Sequence, residues 1–124
     1  MDAICITFSK IEAESLTHRL NFLASESDLE ELMEDETLDL DEMARFSMQQ
    51  AQDFEKGLLT VTVTCREHIE ALAEAIEGAT VHDISLDEAS CGRRSRQSAI
   101  AVTRSLETAA DKIEKATGRA VRLP

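Results

Sequence analysis

The sequence has no Trp and no Tyr, a single Pro at its last position, and four Gly that stand apart from one another. Each shortage excludes something. Without Trp or Tyr, and with a formal net charge of -12, the chain lacks both the stacking platforms and the positive field that hold nucleic acid. Isolated Gly cannot form a loop that cradles phosphates, so P-loop and dinucleotide fingerprints are absent. There is no HExxH zinc motif and no GxSxG nucleophile elbow. A catalytic site assembled only in space leaves no such trace, so the enzyme question stays open, leaning towards none. No run approaches the ~18 apolar residues of a membrane helix. The opening MDAICITFSK carries an Asp where a signal peptide wants positive charge. The three cysteines, Cys5, Cys65 and Cys91, are odd in number and form no CxxC pair. A disulfide framework is therefore not expected, and a reducing, cytoplasmic setting is.

What the chain does have is a globular balance, 43% hydrophobic and 31% charged, which separates it from disordered sequences. Its length fits one domain over residues 1–124 with a sizeable core. The charge is uneven. Residues 1–60 hold fifteen acids against four bases, whereas residues 61–124 hold ten against nine. Such a field repels nucleic acid and anionic membranes and attracts basic protein surfaces.

Residues 3–8 are rich in β-branched side chains and read as a first strand. Ser9 to Glu12 has the capping-box pattern, and Ala13, Leu16, Leu20 and Leu23 follow at helical spacing to about Ala24. Asp39 with Glu42 offers a cap for a helix over 40–56, with Met43, Phe46 and Phe54 facing inward and Gly57 ending it. Alternation over 58–64 marks the clearest strand. A second capping box at Thr64 to Glu67 opens a helix carrying Ile69, Leu72, Ala73 and Ile76, ended by Gly78. Residues 80–84 suggest a third strand, reached by a right-handed crossover. A third box, Ser85 to Glu88, opens a short turn. A long last helix places Ala99, Val102, Leu106, Ala109, Ile113 and Ala116 in one row, and residues 120–123 suggest a last short strand. The expected fold is α+β: a two-layer domain, one small sheet of three or four short strands with helices packed on it.

Three features carry chemistry. Residues 26–42 contain ten acids and no base, threaded with Leu29, Leu32, Met33, Leu38 and Leu40. A calcium loop fails there, because the sharp-turn position is Leu40 and the bidentate position is Phe46. The leading expectation is a non-enzymatic protein-binding module, a regulator, adaptor or inhibitor that engages a basic partner through Glu30, Glu31, Glu34, Asp35 and Glu36. In its sharper form the segment imitates a nucleic-acid backbone. A plain solvated face is the alternative for any such charge run.

The second feature is Cys65-x-x-His68, a thiolate and imidazole pair across a helix start. With His82 and Cys91 it makes a candidate zinc or thiol-redox site, although the spacing matches no standard zinc module. The simpler alternative is packed thiols and a surface His. Cys65 near a helix N-terminus would also feel the positive end of the macrodipole, which favours a reactive thiolate. The third feature is the basic cluster Arg93, Arg94 and Arg96, which suits anion binding or self-association with the acidic half of a neighbouring copy. That gives a further alternative, a self-assembling structural subunit. Apart from the zinc alternative no cofactor is expected, nor is direct contact with nucleic acid or membrane.

Overall fold

The structure is a computed structural model that describes residues 2–24, 37–78 and 95–122, and only the backbone of 95–102. In chain order it contains β1 (Ile4–Thr7), α1 (Lys10–Leu23), α2 (Leu40–Glu55), β2 (Thr60–Val63), α3 (Arg66–Glu77) and α4 (Ser95–Thr117). The fold is mixed α+β, with four helices and a two-stranded antiparallel sheet among the described residues.

The sheet follows from alternation. Its register sets Ile6 against Val61 and Ile4 against Val63, with Cys5 opposite Thr62 and Thr7 opposite Thr60 on the other face. Ile6, Val61 and Val63 are buried, and the hydroxyls of Thr7 and Thr60 meet outside at 3.1 Å. A one-residue slip would turn the apolar set to solvent, so the pattern itself fixes the pairing. The expected third strand, 80–84, and the turn at 85–88 lie outside the described residues.

The expected strand at the end of the chain does not form; residues 120–122 are irregular. Arg119 explains where this stretch goes instead. Its guanidinium donates to Glu70 at 3.2 Å and to Glu77 at 2.6 Å, both on α3, and Val121 is buried just beyond. This tether holds the stretch against a helix rather than in a β ladder.

Helix boundaries follow local chemistry. Ser9 caps α1 as a full box: its hydroxyl accepts from the Glu12 N–H at 3.2 Å and its own N–H donates to Glu12 Oε1 at 2.6 Å. Asp39 Oδ1 accepts the Glu42 N–H at 3.3 Å to open α2. Gly57, at φ 86°, closes it. There the N–H groups of Gly57 and Leu58 return to the carbonyls of Phe54 and Asp53, the paired bonds of a Schellman stop. At α3 the expected box shifts by one residue. Cys65, not Thr64, is the N-cap, and it makes no side-chain capping bond.

One cluster of buried side chains joins every element. Helix α1 lies against α2, α3 and α4, and α4 also touches β1. Leu16, Leu20 and Leu23 of α1 meet Met43 and Phe54 of α2, Leu72 and Ile76 of α3, and Leu106 and Ile113 of α4 in that cluster. Ala116, placed by spacing on the inward row of α4, is exposed because the helix runs on past the core.

Among the described residues, two charged side chains are buried with this apolar set, Glu12 and Arg19. Arg19 donates to the Ala75 carbonyl at 3.3 Å and lies over the Phe22 ring. It also decides the residue that ends α3. Gly78 has an ordinary helical backbone, but an added Cβ would sit 2.7 Å from Arg19 Nη2 and 2.9 Å from the Glu74 carbonyl oxygen. Gly78→Ala is therefore expected to destabilise the protein by about 1–3 kcal/mol through overpacking. A lowered urea midpoint with unchanged slope would show it; an unchanged midpoint would mean that Arg19 swings clear.

Candidate functional site

The acidic segment enters the described structure at Thr37. Leu38 is buried and Leu40 packs against the core, while Asp39 and Asp41 are exposed. Alternation thus draws the apolar side chains inward and leaves the acids outside. These two leucines are part of the core and not anchors for a partner. Thr37 is held from the far side by Arg66, whose Nη1 donates to its hydroxyl at 3.2 Å. Asp41 and Glu42 occupy the first turn of α2, where the helix dipole favours negative charge. Arg45 spans them at 2.8 and 3.4 Å. Glu30, Glu31, Glu34, Asp35 and Glu36 lie outside the described residues, as do Arg93, Arg94, His82 and Cys91. Arg96 falls within α4, where only the backbone is described.

Beside this entry point the structure places Cys65 and His68 together and adds a third group, Glu42. The His68 ring folds back over the start of α3, where its Nδ1 accepts the Thr64 N–H at 3.2 Å. Its Nε2 lies 2.9 Å from Glu42 Oε1. Because Nδ1 is an acceptor, the proton of the neutral ring sits on Nε2 and is donated to the carboxylate. Phe46 stacks on the imidazole face at 4.3 Å between ring centres, with the planes 14° apart. Glu42 and Phe46 are four residues apart on α2, hence on one face of it, so a single helix grips the ring by edge and by face. Donor atoms of Glu42, Cys65 and His68 all lie within 4.8 Å of one another, and all three residues are half-buried.

These are also the residue types of a thiol nucleophile with its base and orienting acid, but the arrangement does not activate sulfur. Both ring nitrogens are engaged, one by an N–H and one by a carboxylate, so neither is free to take the thiol proton. Burial pushes the Cys65 thiol up; the backbone N–H groups of His68 and Glu67 oppose it, the Glu67 carboxylate adds to it, and the thiol stays above its ordinary value. The thiolate expected from a helix N-terminus is therefore disfavoured. Cys5, the other free thiol among the described residues, lies exposed on the outer face of β1.

No family model, curated protein or solved structure matches the chain.

Away from this cluster, a cleft of about 410 Å³ at the far end of α2 is lined by Lys10, Glu14 and Thr17 of α1 and by Phe54, Glu55, Gly57 and Leu59. It contains neither Cys nor His. Glu42 is the functional candidate that sequence reasoning passed over. Its place three residues after the Asp39 cap was visible, but its pairing with His68, 26 positions on, leaves no periodic signal. His18 is exposed on α1.

Proposed function

We propose that the protein is a non-enzymatic binding module in which a two-layer α+β scaffold presents residues 26–42 to a basic protein surface. The observation that carries this reading is ten acids without one base in seventeen residues. Their described end is rooted in the fold: Leu38 in the core, Asp39 on the helix cap and Thr37 under Arg66. Charge displayed from a fixed root steers a basic partner and sets its orientation. The module would act as a regulator, adaptor or inhibitor, and in its sharper form would occupy a groove built for a nucleic-acid backbone. Three cysteines, odd in number and without a CxxC pair, support a reducing compartment as its place of work.

The test is a pull-down from host lysate at low and high salt. Wild type is run beside a variant carrying Glu30→Gln, Glu31→Gln, Glu34→Gln, Asp35→Asn and Glu36→Gln. Wild type should retain a stoichiometric partner at low salt and lose it at high salt, since exposed charges are screened within about 8–10 Å at such ionic strengths. The variant should retain none. Equal capture by both proteins would assign the segment to solubility alone.

A further inference from the structure

We propose that Glu42, Cys65 and His68 form a binding site for a zinc-class divalent cation, which clips the start of α2 to the start of α3. Thiolate and imidazole together select zinc and its neighbours over magnesium or calcium, which prefer an all-oxygen shell. A carboxylate is a common companion ligand.

The span is right as well. Zinc bonds of about 2.0–2.3 Å at a tetrahedral angle place donor atoms roughly 3.3–3.6 Å apart. The three donor atoms already lie within 4.8 Å of one another, so closing on an ion asks for side-chain adjustment and not a change of backbone. One of the three groups, the His68 ring, is held in advance by two contacts. Phe46 packs its face, and the Thr64 N–H meets its edge. The donors come from two helices and only half-bury the site, which gives an ion a way in.

Charge and protons balance. A carboxylate and a thiolate together neutralise a divalent ion. On binding, the Cys65 thiol gives its proton to solvent. The neutral His68 ring frees Nε2 for the metal by carrying its proton on Nδ1 instead. There the Thr64 hydroxyl, 3.4 Å away, becomes the acceptor as the ring shifts, and water solvates the exposed Thr64 N–H where it stands. Three protein donors leave one tetrahedral position for a solvent molecule. This inference stands apart from the acidic-segment reading, because neutralising Glu30, Glu31, Glu34, Asp35 and Glu36 removes none of the three donors.

The experiment uses the full chain, stripped with chelator under reductant and titrated with cobalt(II), then with zinc(II) as competitor. Wild type should bind one cobalt per chain, show near-ultraviolet sulfur-to-cobalt absorption, and lose it as zinc displaces cobalt. Cys65→Ser should remove that absorption. Glu42→Gln preserves the hydrogen bond from His68 and so keeps the metal-free fold, yet should weaken zinc affinity about 10–100-fold, as His68→Ala should at least. Cys5→Ser serves as the control and should bind as wild type does. Far-UV circular dichroism confirms that each variant is folded before titration. A featureless cobalt titration of the wild type would overturn the proposal. So would absorption that survives Cys65→Ser or disappears with Cys5→Ser.

Discussion

Glu12→Ala should destabilise the protein by about 3 kcal/mol, the low end of what breaking a buried ion pair costs. The side chain of Glu12 is only 3% exposed as a residue, and its two oxygens serve three partners. Oε1 accepts the Ser9 N–H at 2.6 Å and the Lys112 ammonium at 2.5 Å, and Oε2 accepts the Thr108 hydroxyl at 2.7 Å. One carboxylate thus completes the cap of α1 and fastens that helix to α4. Alanine would strand the Ser9 N–H and leave a cation over the Phe8 ring without its counter-charge. Lys112 is 40% exposed in its side chain and can turn to water, which keeps the expected cost at the low end.

The same carboxylate makes this contribution depend on pH. Burial pushes its pKa up, but the hydrogen bonds from Lys112, the Ser9 N–H and the Thr108 hydroxyl outweigh burial and hold it below the ordinary 4.5. A group whose pKa is lowered on folding stabilises above its unfolded value and loses that contribution as pH falls through the folded one. Urea unfolding of wild type and Glu12→Gln should therefore differ most near neutral pH and converge well below pH 4.5. A difference that stays constant down to acid pH would show that the charge of Glu12 contributes nothing and that only its shape matters.

Leu20→Ala should cost as much or more, about 3–5 kcal/mol, because a fully buried leucine leaves both lost transfer energy and a cavity. Leu20 is completely buried on α1, the helix that lies against all three others. Collapse around the gap would have to move α2, α3 and α4 together, so little relaxation is expected. Against a total stability of order 5–15 kcal/mol, this single change removes a large share of it. The melting temperature should fall by roughly 10 °C or more. By contrast, Ile11→Ala on the solvent side of the same helix, at 59% exposure, should change stability by no more than about 0.5 kcal/mol. Comparable losses at the two positions would place the centre of the core elsewhere than under α1.

The elements that sequence alone revealed are those with local or periodic causes. The Ser9 box, the Asp39 cap and the Gly57 stop need only a few neighbouring residues, and each forms where its pattern stands. The alternating Val61 and Val63 declare both a strand and its inward face. What escaped depends on partners far along the chain. Glu12 was legible as a capping residue but not as the partner of Lys112, and nothing in the pattern around Arg19 marks it for burial beside α3. The shift of the α3 cap from Thr64 to Cys65 has a local cause instead. The His68 ring takes the Thr64 N–H, which a capping box would have left to Glu67. At the candidate site, Cys65-x-x-His68 was visible as a spacing, and Glu42 became visible only when α2 was laid beside it.

Leu23 and Leu38 both sit in the same core, so the acidic stretch between them is pinned at its two ends. The point where the chain leaves α1 and the point where it comes back before α2 are thus fixed to one another by shared packing. Anything that loosens this packing at either leucine also loosens the frame to which the acidic segment is attached.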